Sequence, residues 1–487
     1  MADARLVLAP YGAKPREEPS VVIGGGPSGV LSARELLRAG FDVDVLEAGP
    51  AIGGVWDYTP ASDADPLGRS SEGRVYSSMY ESLRTNLPRE IMGLTDLHFG
   101  PGFPGSVDPR QYPSHREVLA FVRAIADHGG VTPHVRTNAK VVKLAREQAS
   151  DAAAPRWRVD WEEAGAGPAA TGAAAAASTR TNKAYEFAVV ANGHHTVPVL
   201  PSIPGEETFP GLVLHAHNYR VPAPFAGQTV VVLGAASSGT DISVEIAGVA
   251  KRVLLSGRGL EDGPDGAAPG GATRRSVLVG LGADGSARFA DGAVEPKVDA
   301  VIYCTGYRYA LPFLDASVPV STHADNFVGP LWKHLLVPDG DRAPSLALVG
   351  LPFKVNFFVL AELQSKLVAR AFSGAVQLPP PATILAEAKD RAREAEQHGF
   401  EMRHVHNLAL PQSGEQWRYD DEIAAIAGVS GIPPWMPPLY DAAADARGSK
   451  PELYRDLPLK GVDEELQEAR ATWKNKWWNH EQGVGGE

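Results

Sequence analysis

Hydrophobic residues fall into one arrangement that the chain writes twice. Ser20-Val21-Val22-Ile23 is a short β-branched run that breaks into glycines, and beyond them Gly29 to Ala39 alternates apolar and polar positions at helical spacing. Phe41 to Leu46 reads as a second strand ending at Glu47, so Val21 to Glu47 predicts a compact βαβ unit. The order returns near the middle of the chain. Gln228 to Leu233 predicts a buried strand, Gly234 to Gly239 a turn, Thr240 to Ala247 a helix and Arg252 to Leu255 the next strand.

Between the two units, Trp157 to Trp161 and Tyr185 to Ala191 predict strands, and Gly165 to Thr181, made largely of Ala, Gly and Thr, predicts a surface insert. Gly257 to Gly271 is rich in Gly, Asp and Pro and predicts loose structure on the edge of the second unit. After the prolines of Leu378 to Pro381, Ile384 to Gln397 predicts a charged helix on the outside of the first domain. No internal repeat is visible beyond the doubled unit.

A length of 487 residues suits two or three domains. The formal charge of -12 gives no general pull toward nucleic acid or an anionic membrane, which directs attention to small-molecule chemistry. The first twenty residues lack the apolar core of a secretory leader, and no run approaches the roughly 18 apolar residues of a membrane span. The expectation is a soluble, cytoplasmic protein without a transmembrane segment, with a homodimer as one option for its assembly. Cys304 is the only cysteine, which excludes an intramolecular disulfide and a CxxC redox pair. Redox chemistry must therefore come from a cofactor, and no metal site is expected.

Gly24-Gly25-Gly26-Pro27-Ser28-Gly29 follows a strand and opens a helix, the setting in which GxGxxG has a mechanism. Gly24 allows the tight turn, Gly26 lets a pyrophosphate approach the backbone, and Gly29 lets helix and strand pack closely. Phosphate oxygens then meet the free N–H groups and the positive end of the helix. Glu47, about 20 residues on, can accept hydrogen bonds from ribose hydroxyls and favours a ribose without phosphate. Gly53-Gly54-Val55-Trp56 adds a second glycine pair and a flat aromatic side chain.

The second loop, Gly234-Ala235-Ala236-Ser237-Ser238-Gly239, carries Ala236 where the middle glycine belongs, while Ser237 and Ser238 offer hydroxyl donors to phosphate. In place of an acid it has Arg258, whose fork of donors suits a 2′-phosphate and predicts NADPH over NADH; Arg274 and Arg275 could share that task. The expected fold is α/β with two Rossmann-like dinucleotide-binding domains.

Phe209-Pro-Gly211-Leu-Val-Leu-His215-Ala-His-Asn-Tyr219 fits FxGxxxHxxxY just before the second loop. In that place it resembles the fingerprint of the flavin-containing monooxygenases, as does Glu47 to Trp56, which resembles the family's segment along FAD. Tyr80 to Glu90 and Tyr112 to Leu119 look most like the plant glucosinolate-type S-oxygenases. The resemblance runs from about Ser20 to about Leu410 and implies FAD in the first unit, with Gly24, Gly26, Pro27, Ser28, Gly29, Glu47, Gly54, Val55 and Trp56 around it. It implies NADPH in the second, on Gly234, Ser237, Ser238, Gly239 and Arg258. Phe209, Gly211, His215 and Tyr219 would shape the junction between the domains. Asn86 maps onto the family's active-site asparagine, Gly306 would lie against the cofactor, Gln364 near the flavin ring, and Val141 at the adenine end.

The implied organisation is an FAD domain at residues 20–205 and 313–440, interrupted by an NADPH domain at 206–312 and followed by a tail, 441–487. Trp473, Trp477 and Trp478 of that tail match nothing of use. The implied activity is oxygenation of a thioether sulfur or amine nitrogen on a small nucleophilic substrate by O2, through a C4a-hydroperoxyflavin. A Baeyer–Villiger oxygenase is the main rival, opposed by Tyr219 where that group has tryptophan, and an NADPH oxidase is another. A similarly built disulfide reductase is opposed by the lone cysteine. A redox-sensing or scaffold flavoprotein is the alternative from a different class.

Overall fold

The computed structural model describes residues 18–147, 156–163, 179–260, 266, 268–323, 326–410 and 414–475. The first unit is β1 (Pro19–Ile23), α1 (Pro27–Arg38) and β2 (Asp42–Leu46), followed by α2 (His115–His128) and β3 (Val135–Arg136). An antiparallel leaf of β4 (Ala139–Glu147), β5 (Arg156–Glu163) and β6 (Thr179–Tyr185) leads into β7 (Phe187–Val190) and the short β8 (Val197–Pro198). The second unit holds β9 (Leu212–His215), β10 (Thr229–Leu233), α3 (Ser237–Ala247), β11 (Arg252–Ser256) and β12 (Thr273–Arg275). A small meander, β13 (Leu278–Leu281), β14 (Ala287–Phe289) and β15 (Val294–Glu295), precedes β16 (Ala300–Tyr303) and β17 (Tyr307–Arg308). The chain then runs through the ribbon β18 (Ser321–Thr322) and β19 (Val328–Gly329) to β20 (Leu346–Leu348). The closing helices are α4 (Phe357–Phe372), α5 (Pro381–Gln397), α6 (Glu415–Ala427), α7 (Met436–Ser449) and α8 (Asp463–Ala471).

Two five-stranded parallel sheets result, in the orders β20-β7-β1-β2-β3 and β12-β11-β10-β16-β9. Val21, Val22 and Ile23 on β1 and Val230, Val231 and Val232 on β10 are all buried, as central strands covered on both faces must be. Helix α1 starts at Pro27, whose fixed φ suits the first turn, and stops at Gly40, which turns left-handed at φ +87°. Its Val30, Leu31, Ala33 and Leu36 have essentially no exposed surface and share one core with α2, α4, α6 and α7.

The back of α1 carries a buried charge cluster. Arg34, fully enclosed, pairs with Glu35 at 2.8 Å, Asp96 at 3.0 Å and Glu362 of α4 at 3.4 Å, and Lys366 joins Glu362 at 2.8 Å. The surrounding carboxylates outweigh the burial that would favour a neutral Arg34, so its guanidinium is held charged. This network ties the helix behind the first glycine loop to the helix that follows β20.

Four expectations are corrected. Tyr185 to Ala191 is two strands: Tyr185 ends β6 on the antiparallel leaf, whereas Phe187 starts β7 in the parallel sheet, with Glu186 N–H donating to Pro19 O between them. Helix α3 begins at Ser237, which places Gly239 inside its first turn. The insert expected at Gly165 to Thr181 ends sooner, because Thr179 to Thr181 pair with β5; residues 165–178 lie outside the described residues. A boundary at 440 cuts through α7, and the segment beyond it belongs to the first core through Ala443, Leu459, Leu466 and Ala469. Of the loose stretch 257–271, residues 261–265 and 267 fall outside the description, while Pro269–Gly271 forms a turn against α3. Helix α5 forms where expected, resting Ile384 and Ala388 on the core and leaving Glu387, Lys389, Asp390, Arg393 and Glu394 exposed.

Candidate active site

The two glycine loops are built alike. Gly24 has φ +112° and a Cβ there would come within 2.4 Å of Ala191 O, while Gly234 has φ +115° and would meet Cys304 O at 2.3 Å. A Cβ on Gly29 would stand 1.8 Å from Gly24 O, and one on Gly239 would stand 1.7 Å from Gly234 O. In both units, then, the first and last glycines let helix and sheet edge meet with nothing between them. Neither α1, capped by Gly26, nor α3, capped by Ala236, has a side-chain capping bond, which leaves the first-turn N–H groups of each for an anion.

The middle positions differ for a visible reason. Gly26 lies back to back with Gly54, whose Cβ would fall 2.8 Å from Gly26 Cα, so the Gly53-Gly54 turn closes directly over the first loop. Val55 and Trp56 follow on that turn, Val55 O accepting from Ser77 and Trp56 resting on the first core. Ala236 is exposed, as are Ala235 and Ser237 beside it, with Ser238 partly so. A methyl is accommodated there because the second loop is open.

Pro27 and Ser28 are buried in the first turn of α1, Ser28 lying against Gly350. Glu47 stands at the end of β2 with its carboxylate turned into the loop, accepting from Gly25 N–H at 2.5 Å and Gly49 N–H at 2.6 Å. Burial pushes its pKa up and the two N–H donors pull it back. The hydrogen-bond register puts Gly257, not a carboxylate, at the matching place in the second unit, since Gly24 N bonds Leu46 O and Gly234 N bonds Ser256 O. Arg258 follows, exposed, and Arg274 on the adjacent edge strand has a buried Nε with no hydrogen-bond partner.

Between the units, the two crossing strands β8 and β17 pair with each other, and Gly306 sits at the crossing with φ +85°. The fingerprint packs around this hinge. Gly211 is pressed against Asp299 O and the Phe209 ring, at 2.6 Å each from an added Cβ. His215 ends β9 fully buried, its ring 5.2 Å from that of Tyr307, and burial pushes its pKa down to about 3. Tyr219 donates its hydroxyl to Glu245 of α3 at 2.7 Å. Residues that sequence reasoning passed over complete the joint: Asn218 Oδ1 accepts from Asp63 N–H at 2.9 Å, His217 Nδ1 lies 2.7 Å from Ser78 Oγ, and Arg220 donates to the carbonyls of Thr59, Ala61 and Ser77. Their adjacency to the fingerprint was the available signal.

Asn86 is exposed, between the buried Thr85 and the partly buried Leu87. Val141 lies on β4, near the strand's start, where Ala139 N–H donates to Glu47 O. Gln364 lies inside α4. It has no exposed surface, and its amide is engaged at both ends, accepting from Gly350 N–H at 2.9 Å and donating to Tyr419 at 2.6 Å. It holds the Gly350 turn against Ser28.

A family model described as FMO-like, flavin-binding monooxygenase-like, matches residues 18–261 and 273–435. The chain belongs to the flavin-containing monooxygenases. It is 37% identical over 439 residues to the Arabidopsis thaliana flavin-containing monooxygenase FMO GS-OX-like 2, covering 89% of this chain and 90% of that one. The solved structure of S-allyl-L-cysteine S-oxygenase from Allium sativum superposes with a TM-score of 0.85 at 36% identity, covering 94% of this chain and 99% of that one. Tmm from a Pelagibacter strain shares the fold, with a TM-score of 0.73 at 22% identity over 91% of this chain and 95% of that one.

This flavin-containing monooxygenase therefore uses FAD and NADPH to oxygenate soft nucleophiles. Its two loops fit that pair chemically. The enclosed first loop faces a carboxylate, Glu47, and the open second loop has no acid at the matching place but Arg258 next to it and Arg274 on the adjacent strand. No helix among the described residues is long and apolar enough to cross a membrane.

Proposed function

We propose that the physiological chemistry is oxygenation of a thioether sulfur on a small molecule. The carrying observation is the full-length match to the garlic S-allyl-L-cysteine S-oxygenase, supported by that to the Arabidopsis GS-OX-like relative. In this reading FAD lies along Gly24 to Gly29, with its pyrophosphate at the start of α1, its ribose on Glu47, its adenine end near Val141, and Gly54, Val55 and Trp56 along its length. NADPH lies on Gly234, Ser237, Ser238 and Gly239, with its 2′-phosphate on Arg258. Gly306 and the fingerprint residues Phe209, Gly211, His215 and Tyr219 hold the hinge, and Gln364 lies near the flavin ring, steadied through Gly350.

When bound, FAD and NADPH supply the oxygen activation and the hydride. The protein binds and orients them, excludes water and aims the Asn86 amide at the reacting region, so no side-chain nucleophile is required. Buried His215, held neutral at working pH, is part of the hinge and not a proton carrier.

The test is NADPH consumption with hydrogen peroxide counted, across a panel of thioethers, amines and ketones. Thioethers should give sulfoxide in near-stoichiometric yield with NADPH. Coupled turnover confined to amines or ketones, with thioethers yielding only peroxide, would overturn the assignment to sulfur.

A further inference from the structure

The C-terminal segment, which matched no motif, contacts both units. Arg455 extends its guanidinium between the two halves. Its Nε donates to Thr85 O at 2.8 Å, immediately before Asn86, and its Nη1 and Nη2 donate to the carboxylate of Asp241 at 3.1 and 2.6 Å. Asp241 lies on α3, in the turn after Gly239, and also accepts from the Tyr80 hydroxyl at 3.0 Å. The return contact comes from Arg84, which donates to Arg455 O at 2.9 Å, to Asp456 at 2.6 Å and to Tyr112 O at 2.8 Å. Tyr454 packs edge-on to Tyr112, ring centres 5.4 Å apart.

Three segments distant in sequence thus meet on one side chain: the stretch from Tyr80 to Asn86, the helix that opens at the second glycine loop, and the tail. Arg455 and Asp241 each keep 17% of their side-chain surface, so the pair is partly shielded from water and its two parallel bonds fix both distance and angle. Lysine offers a point charge without the fork and cannot reach the carboxylate and the carbonyl in the same geometry.

We propose that Arg455 is a positioning residue that locks the Asn86-bearing segment to helix α3, and so sets how the second nucleotide is held relative to the reacting centre. This rests on the reading that Asn86 and the second loop serve one reaction. The experiment compares Arg455→Met and Arg455→Lys with the parent, all as FAD-loaded full-length protein. It measures amide hydrogen exchange at residues 83–87, NADP+ affinity by calorimetry, and the peroxide share of NADPH consumed.

Arg455→Met should speed exchange at 83–87, weaken NADP+ binding about tenfold, equal to about 1.4 kcal/mol, and raise the peroxide share, with flavin content unchanged. Arg455→Lys should keep most of the NADP+ affinity through Asp241 while exchange at 83–87 still rises, and it decides the matter alone if the methionine variant fails to fold. Parent-like NADP+ affinity together with parent-like exchange at 83–87 in either variant, or a rise confined to residues 436–471, would overturn the proposal. A parent enzyme that binds NADP+ yet consumes no NADPH would instead overturn the functional reading, since exchange and calorimetry need no turnover.

Discussion

Replacing Gly29 by alanine separates the two nucleotide sites in one experiment when it is paired with the same change at Gly239. The added Cβ would lie 1.8 Å from Gly24 O in the first case and 1.7 Å from Gly234 O in the second, whereas ordinary contact begins at 3.4 Å. Relief requires the helix to retreat by roughly one residue's rise, about 1.5 Å, which pulls its N-terminal N–H groups away from a bound phosphate. Overpacking of this kind costs about 1–3 kcal/mol or more, and each 1.4 kcal/mol is about tenfold in affinity. Gly29→Ala should therefore lose FAD by at least about tenfold and purify pale, read as the ratio of flavin to protein absorbance. Gly239→Ala should purify yellow and accept electrons from dithionite, but show anaerobic flavin reduction by NADPH only at concentrations raised by a similar factor. A yellow Gly29→Ala with impaired NADPH reduction, or a colourless Gly239→Ala, would refute the assignment of the loops.

Arg258→Ala should raise the KM for NADPH about 10- to 100-fold, as loss of a charged hydrogen bond worth about 1.5–3 kcal/mol implies, and leave the weaker use of NADH unchanged in steady-state assays. Arg34→Met should destabilise the fold by about 1–3 kcal/mol, because buried Glu35 and Glu362 would lose the cation they share, Glu35 keeping only Arg38 and Glu362 only Lys366; a denaturation midpoint equal to the parent's would contradict the role given to the cluster. His215 has its pKa lowered to about 3 by burial, against an ordinary value near 6.5, so the unfolded chain takes up its proton first as pH falls. Its contribution is complete above about pH 6.5 and declines toward about pH 3, by up to about 1.4 kcal/mol per pH unit. His215→Asn should flatten that part of the profile of denaturation midpoint against pH, although His217, also depressed by burial, adds a slope of the same sign.

Much of the first and second units was legible because their chemistry is local. Gly24, Gly29 and Glu47 lie within one βαβ unit, where strand, turn and helix follow one another in sequence, and Gly234 and Gly239 lie within another built the same way. The strand break at Glu186 was not legible, since Tyr185 and Phe187 are both apolar aromatics and only the partner strands distinguish them. The bonds of Gln364 were not legible either: that its amide joins Gly350 to Tyr419 depends on α6, which packs against α4 from far along the chain. The side chains that join the halves leave no periodic trace either. Arg34 and Glu362, or Asp241 and Arg455, are separated by hundreds of residues, and nothing in a charged residue's local setting reveals a distant partner.

That division has a physical reason. A nucleotide cradle needs backbone N–H groups, and only neighbouring residues in a tight turn can aim several of them at one point. Holding two cradles in register needs the opposite, contacts between segments that fold separately. Here two of these contacts are made by arginines, Arg220 across the hinge and Arg455 from the tail, because one guanidinium can bond several carbonyls or a carboxylate from different segments in a single rigid plane. The hinge strands β8 and β17 pair through only two residues each, too few to fix an angle between the units. The angle is therefore left to side-chain contacts, those of Arg220 and Arg455 beside Asn218 with Asp63, His217 with Ser78 and Tyr80 with Asp241, and substitutions at the two arginines should change how NADPH use is coupled to product before they change whether FAD binds.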